Sequence, residues 1–157
     1  AVHLPHPGTG RRLALRLASA CTTADVPDPG LVAQDLTATL APLVDTLHAT
    51  TRRGRRALWG TVTDMVTAAF HRVGDHLDRP SAARHAADDV VAASPQLVGG
   101  TNWCAVPWSG GIEHTRVRNV CCLWYRAPGG TDCVTCPRLD ATGRRRAVER
   151  RAQTSLT

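Results

Sequence analysis

Aromatic residues are scarce in this sequence, and lysine is missing altogether. Of 157 residues, one is Phe, one is Tyr and four are Trp, while all 19 basic residues are arginine. The net charge of +6 alone would suggest an acidic partner. However, basic residues without interleaved aromatics offer no platform for stacking nucleic-acid bases, and the all-arginine bias is typical of a GC-rich genome. We therefore expect no nucleic-acid partner.

Long hydrophobic runs are missing as well. No stretch approaches the ~18 apolar residues of a membrane span, which excludes a transmembrane segment but leaves peripheral membrane association open. Arg11 and Arg12 precede LALRLASAC, yet Arg16 cuts this apolar stretch below the ~7–15 residues that a signal peptide needs. We expect a basic amphipathic helix over about residues 11–20, in a cytoplasmic protein. A reducing compartment favours metal ligation over disulfides for clustered cysteines.

Motifs for binding nucleotides or for nucleophilic catalysis are also absent from the sequence. Gly8 and Gly10 resemble half of a dinucleotide-binding loop, but no strand precedes them and no third glycine follows. There is no Walker loop and no Gly-x-Ser-x-Gly elbow. The sequence thus offers no recognisable site for NAD or flavin.

What the first hundred residues do contain is apolar residues at helical spacing. Asp28 followed by Pro29 is a typical N-cap and first helical residue, and Pro42 either kinks this helix or starts a new one. A further helix is predicted from about Pro80 to Ala93. Between them, the clearest stripe of period 3.6 predicts a helix with one buried face, made of Leu58, Val62, Met65, Val66, Ala69, Phe70 and Val73.

The composition changes after Gly99 and Gly100. We expect an irregular segment over residues 103–111, one or two short strands between Thr115 and Tyr125, and a turn at 128–130. An arginine-rich, helix-prone tail follows residue 137. The predicted fold is therefore mainly α, with a helical body over residues 1–100. A small irregular Cys-rich cap and the basic tail occupy residues 101–157.

Four cysteines lie close together in the cap. Cys121 and Cys122 are adjacent, and ten residues later Cys133 and Cys136 form a Cys-x-x-Cys pair. Adjacent side chains in an extended chain point to opposite faces, which suits a single tetrahedral zinc ion poorly. A [2Fe–2S] cluster spreads four thiolates over two irons and tolerates diverging ligands. Spacing alone favours the cluster, but leaves zinc and disulfides open.

The segment from Arg116 to Pro137 reads R-x-R-x-x-C-C-L-x-Y-R-x-P-G-G-x-x-C-x-x-C-P. It resembles the C-terminal signature of the FhuF-type ferric-siderophore reductases, in which C-C-x(10)-C-x(2)-C supplies the cluster ligands. Residues 55–60, RRALWG, resemble the R-x-LWG segment that opens a long helix in these proteins. Members of the family are longer at the N-terminus, so we expect this sequence to be a trimmed or short form.

The resemblance implies that Cys121, Cys122, Cys133 and Cys136 are the metal ligands of a [2Fe–2S] cluster. It further implies an oxidoreductase in iron transport that reduces a ferric siderophore in the cytoplasm. Its electron transfer would start from an external donor, either a reductase or reduced flavin. Two alternatives remain at this point: a zinc-stapled helical module whose arginine tail binds an acidic partner, and a ferredoxin-like electron carrier.

Residues around the four cysteines allow two interpretations each. Trp124 and Tyr125 either shield the metal centre from water or relay electrons, or they simply pack the cap. Arg116, Arg118 and Arg126 either lie over one side of the centre, where positive charge favours the reduced state, or form a solvated face. The two remaining cysteines, Cys21 and Cys104, are expected to be buried small residues rather than ligands.

Overall fold

The structure is a computed structural model that describes residues 27–154 and two N-terminal strands. These strands, β1 (Val2–Pro5) and β2 (Arg12–Leu15), pair antiparallel with Val2 opposite Leu15. The helix expected over residues 11–20 is therefore wrong for the β2 segment, and part of the expected N-terminal loop is strand β1. Such short apolar runs fit a strand as well as a helix, and here pairing decides. The rest of that expected helix lies outside the described residues.

Three helices follow: α1 (Pro29–Thr50), α2 (Arg55–His76) and α3 (Pro80–Ala92). The predicted N-cap of α1 is confirmed, because the Asp28 carboxylate accepts hydrogen bonds from the backbone N–H groups of Gly30 (2.6 Å) and Leu31 (3.3 Å). Pro42 lies inside α1, which continues as one helix on both sides of it. The predicted start of α3 at Pro80 is also confirmed.

The three helices pack around a small aliphatic core. Its buried members are Ala33, Val66, Val90, Val91 and Leu97. The buried face predicted for α2 is only partly correct, because Met65 and Val73 of the apolar stripe are each 53% exposed. Small and polar residues of α2 are buried in their place, namely Gly60, Thr63, Asp64, Thr67 and Gly74. The face of α2 that is buried in the tertiary structure is therefore turned about the helix axis from the apolar stripe, and it consists largely of small and polar residues.

A β-hairpin follows the helical body. Strands β3 (Trp103–Trp108) and β4 (Gly111–Arg116) pair antiparallel, and the two-residue loop Ser109–Gly110 joins them. The prediction of an irregular segment over residues 103–111 is thus wrong. The strands also lie mostly before the predicted Thr115–Tyr125 region, which β4 overlaps only at Thr115 and Arg116. Two-residue loops containing glycine are common in hairpins, so the signal was present in the sequence.

The basic tail forms helix α4 (Ala141–Thr154), as its composition predicts. It packs on β3, and a second apolar core forms there from Val106, Val134, Ala147 and Val148. The mainly helical fold with a small Cys-rich C-terminal region is confirmed, while the division into domains at residue 100 stays a prediction. Within the described part of the chain, no helix has the length and apolar character to cross a bilayer.

Candidate metal centre

The first cysteine pair lies at a corner of the chain. Cys121 is half-buried and Cys122 is exposed, so the two side chains face different surroundings, as their adjacency predicts. Leu123 adopts a left-handed backbone conformation with φ of 61°, which is uncommon for a residue other than glycine. Its N–H group donates to the Cys121 sulfur at 3.4 Å. The chain therefore bends back towards Cys121 immediately after the pair.

A tight turn leads from the first cysteine pair towards the second. A short 3-10 helix, Trp124–Arg126, is followed by Gly129 at φ of 72°, and the Gly130 N–H donates to the Ala127 carbonyl at 2.8 Å. A side chain at Gly130 would overlap the Trp124 carbonyl oxygen. The predicted turn over residues 128–130 is confirmed, and glycine is required at position 130 for steric reasons.

The second pair closes a compact loop of its own. The Cys136 N–H donates to the Cys133 carbonyl at 2.9 Å, and the Cys136 sulfur lies 3.5 Å from an oxygen of Asp132. Cys136 is 3% exposed, and this burial raises the pKa of its thiol. The Arg118 N–H donates to the Thr135 carbonyl at 2.9 Å. This bond ties the Cys-x-x-Cys loop to the segment just before Cys121.

Arg144 of α4 is hydrogen-bonded to the backbone of the Cys-x-x-Cys loop. It is only 7% exposed, and its guanidinium donates to three backbone carbonyls, those of Val134 (2.6 Å), Cys136 (3.1 Å) and Leu139 (3.0 Å). Only the planar fork of an arginine offers several donors in this fixed arrangement. This residue of the basic tail therefore builds the loop and is not part of a solvent-facing patch.

Asp64 of α2 anchors the segment that precedes the first cysteine pair. Its carboxylate is 2% exposed and accepts four hydrogen bonds. One oxygen accepts from the backbone N–H (2.7 Å) and the side-chain amide (3.1 Å) of Asn119, and the other from the Val120 N–H (3.1 Å) and Arg118 Nε (3.3 Å). The apolar period of α2 does not predict this buried carboxylate. The available signal was an acidic residue in the middle of an apolar helix.

The three arginines near the cysteines have different surroundings. Arg116 is 8% exposed and donates through Nη2 to the Asp64 backbone carbonyl at 2.9 Å, whereas its buried Nε has no hydrogen-bond partner among the described residues. Burial lowers the pKa of its guanidinium, and the Asp64 carboxylate and the Cys133 thiol oppose this shift. Arg118 pairs with Asp64, while Arg126 is exposed. A shared solvated face is therefore wrong for Arg116 and Arg118.

The two aromatic residues after the pair also differ. Trp124 is 59% exposed, so it does not pack into the cap. Tyr125 is half-buried, and the guanidinium carbon of Arg138 lies 3.8 Å from its ring centroid, with that of Arg126 at 5.7 Å on a second cation–π contact. Of the interpretations offered for these residues, packing within the cap therefore fits Tyr125, whose ring is covered by Arg138.

The donor set fits an iron–sulfur cluster. The five described cysteines, Cys104, Cys121, Cys122, Cys133 and Cys136, are all free thiols. Cys104, which is expected to be buried, is only half-buried, against the apolar core of the cap. Cys21 lies outside the described residues. Among the residues that the structure describes, no three His, Cys, Asp or Glu side chains are grouped as a metal site. Four thiols on two backbone segments that are hydrogen-bonded to each other supply the number and type of ligand that a [2Fe–2S] cluster takes.

Comparison with known proteins supports this assignment of the cofactor. Residues 118–138 match the model of the FhuF 2Fe-2S C-terminal domain. This confirms the resemblance seen in the cysteine segment, and all four predicted ligands lie within the matched range. The match implies a [2Fe–2S] cluster as the cofactor of this segment. No curated protein and no solved structure matches the chain.

Proposed function

We propose that this protein is a ferric-siderophore reductase, which releases Fe(II) by one-electron transfer in the cytoplasm. Cys121, Cys122, Cys133 and Cys136 would hold its [2Fe–2S] cluster. The observation that carries the proposal is the FhuF 2Fe-2S match over residues 118–138, which contains these four free thiols. The contacts of Asp64 and Arg144 support it, because they fix the two ligand-bearing segments from two sides.

The reaction needs little from the protein beyond a route for one electron. Siderophore oxygens are hard ligands that hold Fe(III) far more tightly than Fe(II), so reduction loosens the metal. When bound, a [2Fe–2S] cluster supplies a one-electron carrier. The electron comes from an external reductase or reduced flavin, which is oxidised, and Fe(III) becomes Fe(II). No covalent bond to the protein has to form, which agrees with the absence of a nucleophile motif.

The surroundings of the cysteines favour negative charge at the centre. Arg116 is buried close enough to Cys133 for the two groups to interact electrostatically. Arg116 and Arg118 together bring two positive charges to one carboxylate, that of Asp64. This surplus positive charge favours an additional electron at a centre beside Cys133.

Spectroscopy on anaerobically purified protein tests the proposal. We expect a red-brown protein with about two irons per chain, and an electron paramagnetic resonance signal after reduction. Serine at any of the four proposed ligands should bleach or alter the visible spectrum, whereas Cys104→Ser and Cys21→Ser should leave it intact. A colourless protein with stoichiometric zinc after iron-replete expression would contradict the cluster.

Turnover separates a reductase from an electron carrier. The cluster-loaded protein, given reduced flavin, should convert a ferric siderophore to Fe(II), trapped by a ferrous chelator, faster than flavin alone. A protein that accepts electrons but does not accelerate this conversion would be a carrier of the ferredoxin type.

A further inference from the structure

A cavity of about 560 Å³ opens between the start of α2 and the first cysteine pair. Small-molecule sites typically have volumes of about 300–1,000 Å³. The residues on which the argument rests come from three separate segments of the chain: Arg56, Ala57, Gly60, Val98, Asn119 and Cys121. A ligand in this cavity would thus contact Cys121, one of the proposed cluster ligands.

The walls of the cavity are held by close contacts. A Cβ atom at Gly60 would come within 2.7 Å of a methyl group of Val120, so α2 and the cysteine segment approach each other as closely as glycine permits. Asn119 and Val120 are hydrogen-bonded to the buried Asp64. The cavity is therefore part of the packed structure on the side where the two segments meet.

The charge of the cavity is positive. Arg56 is the charged residue among the described residues that line it. The basic turn that precedes α2 also carries Arg52, which is exposed, and Arg53, which is half-buried. Arg55 forms an ion pair with Asp45. An anionic ligand would be attracted to the opening and would meet the exposed Arg56 at its wall.

A second cavity lies beside Cys133, and its charges are balanced. It measures about 580 Å³ and includes Asp132, Arg150 and Arg151 in its lining. Arg151 forms an ion pair with Glu113 at 2.6 Å. The two cavities are thus similar in size and each adjoins a proposed ligand, but the one with Arg56 is better suited to an anion.

We propose that the cavity between α2 and Cys121 binds an anionic ferric chelate, with Arg56 pairing with its carboxylate or other anionic oxygens. This rests on the proposed function and adds to it where the substrate binds and which charge it carries. A chelate bound there would lie against Cys121, with no intervening layer of protein between it and this ligand.

Gallium complexes test the site without any turnover, because Ga(III) replaces Fe(III) but is not reduced. Cluster-loaded, oxidised protein is dialysed to equilibrium against anionic Ga(III)–DTPA or against the neutral tris-acetohydroxamate complex, and bound gallium is measured. At low ionic strength we expect tighter binding of the anionic complex. Arg56→Gln should weaken it about two- to fivefold, the effect of one exposed charge pair, and leave the neutral complex unchanged.

Arg150→Gln is the matched control, because it removes one exposed arginine from the cavity beside Cys133. It should leave both affinities unchanged, while Ala57→Trp should block both complexes by filling the cavity. Unchanged binding in Arg56→Gln, or an equal loss in Arg150→Gln, would overturn the site. A protein that binds gallium through Arg56 but does not reduce ferric chelates keeps this site and loses the proposed function. If Arg56→Gln binds the anionic complex normally and the protein still reduces ferric chelates, the proposed function stands and this site is wrong.

Discussion

Replacing Asp64 with asparagine should cost more stability than any other isosteric change in the described helices. The two oxygens of Asp64 accept four hydrogen bonds from Arg118, Asn119 and Val120. Asparagine has nearly the same shape, but one oxygen becomes an NH₂ group. In either orientation, this group faces two donors and cannot accept from them. The side chain also loses the negative charge that balances Arg118 and the neighbouring Arg116.

The expected loss follows from these contacts. A hydrogen bond to a charged group contributes about 1.5–3 kcal/mol, and two such bonds are lost. Breaking a buried ion pair by removing one partner costs about 3–5 kcal/mol. This figure includes the hydrogen bonds already counted, so the two costs are not added. We therefore expect Asp64→Asn to lower the free energy of unfolding by about 3–5 kcal/mol. For a chain of this size, that corresponds to a melting temperature lower by about 6–20 °C.

Chemical unfolding of the cluster-loaded protein measures this loss. Circular dichroism monitors the helices and visible absorbance monitors the metal centre. Asp75→Asn is the matched control, because Asp75 lies on the same helix with its side chain 56% exposed. It should change stability by less than about 0.5 kcal/mol. The reasoning would be refuted if Asp64→Asn lost less than about 1 kcal/mol and kept its visible spectrum.

Three further changes test the other contacts. Arg144→Lys should cost about 2–4 kcal/mol in chemical unfolding, because lysine cannot bridge three carbonyls, whereas the exposed Arg145→Lys should stay within about 0.5 kcal/mol. Gly130→Ala should prevent the turn from closing and reduce iron content, and Thr131→Ala beside it should not; equal iron in both variants would contradict the steric argument. Arg116→Gln should lower the midpoint potential by roughly tens of millivolts, because a buried positive charge near Cys133 is removed, and the exposed Arg126→Gln should not. Equal potentials in these two variants would remove Arg116 from the tuning of the centre.

Features that depend on neighbouring residues could be predicted from the sequence. The N-cap at Asp28, the helix start at Pro80, the helical tail and the turn ending at Gly130 all rest on proline, glycine or capping side chains. These residues restrict the backbone within a few positions of themselves, so their effect is visible without the fold. The spacing of the four cysteines belongs to the same class, because it limits which metal centre the segment can hold.

The face on which α2 is buried could not be predicted in this way. The apolar stripe has a clear period, but α3 and the segment from Arg116 to Val120 contact a neighbouring face of small and polar residues. The burial of Asp64 follows from this, since its partners Arg116 and Arg118 lie 52 and 54 positions further along the chain. Whether a charged side chain is solvated or buried depends on the partners that the tertiary structure brings to it. A buried charge is tolerated only where such partners compensate the loss of water, and the sequence does not specify them.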